Sequence, residues 1–383
     1  MRIVYCLNSI CYTGGIERVT ITKANALAEL PGNEVFLVLS ENCDKQCTTV
    51  QPISEKVHLV FLGINYFEGD CGRSKFANLF VYASKRIKHR KRLYEALKNL
   101  KPDIVISVGL SERYMVLSMP KRSWKVIREY HFERNYRRKE KKSKFDQFVA
   151  RISDFYGTTF IEKKFDKIIV LTDEDKNLNW RGWSNVDVIP NPISFTCDEI
   201  SSLSNKSVIS LGRLVPQKNF SSLLRAFQIV RDVHPDWTLK IYGDGPERES
   251  LLNMIEQLKL VDNVQLMGIS RNVSRVLKDA SFLVVSSIYE GFSLVIVEAM
   301  ECGLPVVSYQ CPCGPKDIIS DGVDGFLVPV GNEQMMADRI CTLIEDEELR
   351  RKMGASAKEK AKKYHIDNIT KLWMNLFEEL VKK

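Results

Sequence analysis

The stretch Ser286–Pro305, SSIYEGFSLVIVEAMECGLP, decides the fold. The apolar run Phe282 to Val285 stands before it and reads as a buried parallel strand. Glu290 and Gly291 make a turn, and Ser293 to Cys302 reads as a helix. Gly303 ends that helix, Pro305 follows, and Val306 and Val307 open another strand. A strand that feeds a helix through a tight turn leaves free N–H groups, here those of Gly291, Phe292, Ser293 and Leu294, facing a ligand. Such a start favours an anion by roughly 0.3–1 kcal/mol, up to about 2 when partly buried. Glu290 and Glu298 frame the turn. On one continuous helix, steps of about 100° leave them roughly 80° apart, suited to two different parts of one elongated ligand. The alternative is a plain charge at the helix start and a solvated Glu298.

Outward from this stretch, apolar β-rich runs alternate with helical patterns. In the first half the strands are expected at Ile3–Leu7, Val35–Leu39, His58–Phe61, Ile104–Val108, Val126–Arg128, Lys167–Leu171 and Val186–Ile189. In the second half they are expected at Val208–Leu211, Leu239–Tyr242, Val264–Met267, Phe282–Val285, Val306–Tyr309 and Phe326–Val328. This predicts an α/β protein with two Rossmann-like, doubly wound parallel sheets facing across a cleft. Around Asn191–Lys206 order gives way to Pro, Ser, Asn and Asp. The expected division is therefore 1–196, a linker at 197–206, a second domain at 207–365, and a last helix at 366–383. That helix carries Ile366, Ile369, Trp373, Leu376, Phe377 and Leu380 on one stripe, and the linker is one surface it can pack across.

The 383 residues are 44% hydrophobic and 27% charged, as in ordinary globular chains, and the length suits two domains. No run of 18 apolar residues spans a membrane, and the N-terminus reads as a first strand, not a signal peptide. The ten cysteines lie without a CxxC, and the five histidines are not near them, so reduced thiols and no metal site are expected. Charge is uneven: residues 1–196 hold 33 Lys+Arg against 22 Asp+Glu, and residues 197–383 hold 23 against 26. The excess sits in Lys85–Arg92 and Arg134–Lys144. The first patch follows Phe76, Leu79, Phe80 and Ala83, making a basic amphipathic helix of the kind that lies on anionic membranes. A solvated helix face is the alternative. No nucleic-acid signature accompanies the patches, so nucleic acid is not expected as a partner.

Other strand ends carry candidate groups. Gly14 and Gly15 follow the first strand and permit close approach to a ligand, or make a plain turn. His131 stands at the end of the fifth strand, as a structural or a catalytic histidine. Arg213 and Lys218 follow the first strand of the second half, where they meet a phosphate or are solvated. Gly243-Asp244-Gly245-Pro246 is not a GxGxxG and does not argue for NAD.

Together these pieces resemble the retaining glycosyltransferases of family 4, with the GT-B fold. The matching motifs are Gly212-Arg213-Leu214 with Lys218, Tyr242 to Pro246, Ser287 to Leu294, Val297 to Met300, Gly303 to Val307 and Asp321 to Pro329. They cover most of residues 207–360 in order; the first half matches more loosely, through Gly14-Gly15 and His131. The segment Cys311 to Ile319 looks like that of bacterial capsule, O-antigen and exopolysaccharide enzymes. The resemblance implies transfer of a hexose or N-acetylhexosamine from a nucleotide-sugar, with UDP expected, to a saccharide acceptor on a polyprenyl diphosphate. It implies Arg213 and Lys218 on the diphosphate, Glu298 on the ribose and Glu290 on the transferred sugar. Backbone N–H groups of Phe292 to Leu294 meet the distal phosphate, and His131 lies near the anomeric centre. The family often has His-Asp where Phe132 follows His131, and commonly Gly at Ser293. Work without a metal cofactor, in the cytoplasm at the inner membrane face, is the matching expectation. A sugar-nucleotide epimerase of similar fold and a catalytically silent nucleotide-sugar-binding partner stand as alternatives.

Overall fold

The computed structural model describes residues 1–11, 14–42, 51–66, 75–109, 112–117, 119, 122–132 and 161–382. The chain divides into two compact units. One comprises Met1–Val170, Asn179–Pro192 and Ile366–Lys383; the other comprises Leu171–Leu178 and Ile193–His365.

The first unit is built on β1 (Arg2–Leu7), β2 (Glu34–Leu39), β3 (Val57–Phe61), β4 (Ile104–Ser107), β5 (Lys125–Glu129), β6 (Lys167–Val170) and β7 (Val186–Val188). These form one sheet in the order β3-β2-β1-β4-β5-β6-β7, every neighbouring pair parallel. Parallel strands need both faces covered, which is why β1 and β4 are near-continuous apolar runs. Helix α1 (Gly15–Glu29) covers one face with Ile21, Ala24 and Leu27. The C-terminal helix, Ile366–Lys382, returns to this unit, and its Ile369, Trp373, Leu376, Phe377 and Leu380 join the same core.

Helix α2 (Lys75–Leu100) carries the first basic patch. It packs through Leu93, Leu97 and a buried His89, whose Nδ1 lies 2.9 Å from the Tyr66 hydroxyl. Lys85 Nζ donates to Asn65 O at 2.5 Å and Tyr66 O at 3.2 Å, and Arg92 Nη1 donates to Gly63 O at 3.1 Å. Those two cations are therefore tied to the chain after β3, while Phe80 and Ile87 are 76% and 73% exposed. The second patch, Arg134–Lys144, lies outside the described residues.

The second unit is built on β8 (Ser207–Leu211), β9 (Thr238–Tyr242), β10 (Val264–Gly268), β11 (Phe282–Val285), β12 (Val306–Tyr309) and β13 (Gly325–Val328). Their order is β10-β9-β8-β11-β12-β13, again all parallel. Helix α3 (Phe220–Val233) packs Leu223, Leu224 and Phe227 into the core. Helix α4 (Leu294–Glu301) is apolar on most of its surface and buries Ile296, Val297, Ala299 and Met300, as a helix covered on all sides must. It lies against α5 (Glu347–Ala361), where a Cβ on Gly354 would stand 2.3 Å from Gly303 O.

Residues 197–206, expected as a linker, are part of this unit. Their polar groups satisfy helix ends: Ser201 N–H donates to Cys302 O at 2.9 Å and Ser201 Oγ to Ala280 O at 2.6 Å. One cysteine departs from the expected thiols, since Cys11 is disulfide-bonded. Cys6, Cys197, Cys302, Cys311, Cys313 and Cys341 carry free thiols.

Candidate functional site

In the second unit β8 lies between β9 and β11, so strand order reverses there. Ligands of doubly wound sheets sit at such reversals, beyond the C-terminal strand ends. The loops leaving β8 and β11 are laced together. Ile288 N–H donates to Gln217 O at 2.9 Å, Gln217 Nε2 to Tyr289 O at 2.8 Å, and Ser286 Oγ to Lys218 O at 2.7 Å. This lacing places Lys218 Nζ 2.6 Å from Glu290 Oε1, which also accepts from Ser287 Oγ at 2.6 Å. Gly243 closes the site from β9: its φ is +145° and a Cβ there would stand 1.8 Å from Gly212 O.

Helix α4 starts one residue later than its sequence suggests. Ser293 is its N-cap, with φ 62° and ψ 70°, and its side chain does not cap. A left-handed residue other than glycine costs roughly 1–2 kcal/mol, which explains why glycine suits this position. The Ser293 hydroxyl is buried without a hydrogen-bond partner. Because residues 290–293 precede the helix, the helical angle expected between Glu290 and Glu298 does not apply. Gly291, Phe292, Ser293 and Leu294 nonetheless line the helix start.

Glu298 is only 2% exposed and accepts from Ser194 Oγ at 3.3 Å, so it is not a solvated carboxylate. Glu290 is buried as well. Beside it, burial pushes the Cys311 thiol up, and the Glu290 charge adds to that shift. Arg213 is exposed on the loop that carries Lys218. Glu301 escaped the sequence reading: it accepts from Lys358 Nζ at 2.7 Å and lies 2.8 Å from His365 Nε2, fixing the far end of α4.

In the first unit order reverses between β1 and β4. Gly14 is the N-cap of α1 and Gly15 its first residue. The Glu17 carboxylate folds back here, for a Cβ on Gly14 would stand 2.2 Å from Glu17 Oε2. Burial raises the Glu17 pKa. Nearby lies a cavity of about 150 Å³ lined by Asn8, Glu17, Arg128, Glu129, His131 and Phe132 among others. His131 follows β5, with a side chain 3% exposed and Nε2 at 3.4 Å from Glu129 Oε1. Glu129 is ion-paired with Lys23 of α1, both fully buried. Neither residue was marked by the sequence. Burial alone would raise the Glu129 pKa, but Lys23 and His131 hold it down at about 2. Burial lowers the His131 pKa, and Glu129 offsets only part of that.

Residues 199–360 match the model of glycosyl transferases group 1. The chain is similar to an uncharacterized glycosyltransferase of Haemophilus influenzae, 28% identical over 382 residues, covering 98% of this chain and 99% of that protein. It is 27% identical to a Campylobacter jejuni GalNAc-alpha-(1->4)-GalNAc-alpha-(1->3)-diNAcBac-PP-undecaprenol alpha-1,4-N-acetyl-D-galactosaminyltransferase, covering 99% of this chain and 98% of that one. Among solved structures, S. aureus TarM in complex with fondaparinux, alpha-GlcNAc-glycerol and UDP superposes with a TM-score of 0.79 at 17% identity, over 98% of this chain and 99% of that one. The chain has the two-domain GT-B fold, and its residues 199–360 are similar to the group 1 glycosyl transferases.

Proposed function

We propose that the protein is a retaining glycosyltransferase. It moves a hexose or N-acetylhexosamine from a UDP-sugar to a saccharide acceptor carried on a polyprenyl diphosphate, in the assembly of a capsule or lipopolysaccharide-type polymer. The observation that carries this reading is the Lys218–Glu290 pair, held at 2.6 Å before a helix start. A diphosphate leaving group builds negative charge as the sugar departs. Lys218, Arg213 and the N–H groups of Phe292 to Leu294 supply preorganised positive potential for it. Glu290 takes sugar hydroxyls and Glu298 the ribose; in the first unit, His131 and the Gly14-Gly15 turn are the candidate groups for the same reaction. With cations in this role the reaction needs no metal cofactor.

The named relatives support the substrate classes: the TarM structure holds UDP, and the Campylobacter relative is named for a diphosphate-undecaprenol acceptor. No helix among the described residues is long and apolar enough to cross a membrane. Contact with a lipid-linked acceptor at the cytoplasmic face then falls to the basic surface of α2. The proposal is tested by incubating the protein with a panel of UDP-sugars, with and without an undecaprenyl-diphosphate-linked saccharide and in excess chelator. Acceptor-dependent UDP release with an α-linked product from an α-linked donor is the expected result. An epimer formed without acceptor would replace the transferase by an epimerase, and binding without turnover of any sugar would leave a silent binding partner.

A further inference from the structure

Three ionisable side chains form a line in the first unit, from α1 through the end of β5 to the cavity. Lys23 and Glu129 are 2% and 1% exposed, and His131 Nε2 stands 3.4 Å from the same Glu129 oxygen, Oε1, that pairs with Lys23. The Lys23 ammonium also faces the Trp373 ring at 4.8 Å and the Tyr5 ring at 5.7 Å. Position 23 lies among the buried Ala24 and Leu27 of α1, where an apolar side chain fills the same space. Buried ion pairs are rarely more stable than well-packed apolar replacements, so stability alone does not account for this one. Its end at the cavity does.

We propose that Glu129, clamped by Lys23, is a positioning residue for His131, holding the imidazole neutral with its proton on Nε2 and leaving Nδ1 as the acceptor. The inference rests on the reading of His131 as part of the transferase site. Nε2 is buried and makes no hydrogen bond at this separation of 3.4 Å, and a small adjustment of the ring brings its N–H onto Glu129 Oε1. The charged groups acting on His131 are Lys23 from α1 and Arg128 and Glu129 from β5; Glu17 of α1 lines the same cavity, and Tyr5 of β1 lies against Lys23. Burial first keeps the proton off the ring, Glu129 favours an imidazolium, and the charges of Lys23 and Arg128 oppose one. A ring whose other nitrogen is bonded to a carboxylate has its tautomer fixed.

The test uses the full chain. Imidazole nitrogen shifts of His131 are read by NMR in wild type and in Lys23→Met/Glu129→Leu, which removes both charges. In parallel, kcat and donor KM are measured with the UDP-sugar that the wild type turns over. The proposal expects the Nε2–H tautomer in wild type and a tautomer mixture in the double variant. It also expects kcat at least tenfold lower with KM within twofold. A wild-type tautomer in the double variant, or an unchanged kcat with an altered tautomer, overturns it. Should that variant fail to fold, the wild-type nitrogen shifts carry the test alone: an Nδ1–H tautomer or an imidazolium at pH 7 overturns the proposal. Wild-type turnover by His131→Ala would sink the catalytic reading of His131 instead, while the nitrogen shifts still decide whether Glu129 positions the ring.

Discussion

Each unit sets a lysine against a glutamate near the C-terminal edge of its sheet, and the two pairs differ in access to water. The Lys23 and Glu129 side chains are 2% and 1% exposed; those of Lys218 and Glu290 are 19% and 8% exposed. The first pair carries the full desolvation cost of two charges and has no room to exchange partners. The second keeps one face open, so an arriving phosphate can share Lys218 and a sugar hydroxyl can share Glu290. On the proposed reading the same two residue types serve as a fixed brace in one unit and as an exchangeable clamp in the other.

The largest effect should come from breaking the brace. Lys23→Met leaves Glu129 buried with only His131 beside it, and removing one partner of such a pair costs about 3–5 kcal/mol. Lys218→Met leaves Glu290 with its Ser287 hydrogen bond and a partly open side, and should cost less than the Lys23 change. Urea titration of both variants measures the gap; equal losses would erase the distinction between the pairs.

Acid should separate the units next. His89 is 2% exposed, and burial first, then the Arg86 charge, lowers its pKa to about 4. A folded pKa below the unfolded value of about 6.5 means the unfolded chain takes up the proton first as pH falls. The stability is therefore complete above that value and declines as pH drops toward 4, by up to about 3 kcal/mol. His131 shifts in the same direction. In the second unit His234 and His365 sit partly exposed, at 19% and 29%, beside Glu345 and Glu301. Peptide-resolved hydrogen exchange at pH 7 and pH 5 should show the first unit losing protection first, and the reverse order would refute the assignment.

Opening the clamp should act on ligand rather than on fold. Lys218→Met and Arg213→Ala each remove a charged donor, worth about 1.5–3 kcal/mol of affinity. UDP calorimetry should therefore show roughly 10-fold or greater weakening. Lys23→Met, if folded, should bind UDP as the wild type does.

The two residues of the clamp were marked in the sequence because they lie in short loops beside strand ends, but their pairing was not. Glu298 was marked as a carboxylate on the helix that follows. The brace was not legible: Lys23 and Glu129 are 106 positions apart, and Lys23 sits in an otherwise apolar helix stripe with no local sign of a partner. The left-handed Ser293 was equally hidden, since a serine reads as an ordinary N-cap until its φ is known. The basic run on α2 shows the opposite error. A charge run reads as one solvated surface, yet Lys85 and Arg92 reach back to backbone carbonyls and His89 is buried. The two parallel sheets followed from the alternation of elements, whereas the assignment of Leu171–Leu178 did not, because it joins the second unit through contacts far along the sequence. Glu174 there accepts from the Cys313 N–H at 2.7 Å.

The smallest effects should divide the two glutamates of the second unit. Glu298 is buried and accepts from Ser194 Oγ. On the proposed reading it holds the ribose, so Glu298→Gln should weaken UDP binding by about 1.5 kcal/mol, roughly tenfold. Glu290 meets the sugar and not the nucleotide, so Glu290→Gln should lower turnover while sparing UDP affinity. Glu290 also holds Lys218 at 2.6 Å, and removing its charge frees that ammonium for the distal phosphate. Glu290→Gln should therefore leave UDP binding unchanged or tighten it. Calorimetry with UDP alone reads both variants without any acceptor. If Glu290→Gln weakens UDP as much as Glu298→Gln does, the pair is not an exchangeable clamp but a second brace, and the contrast between the units ends there.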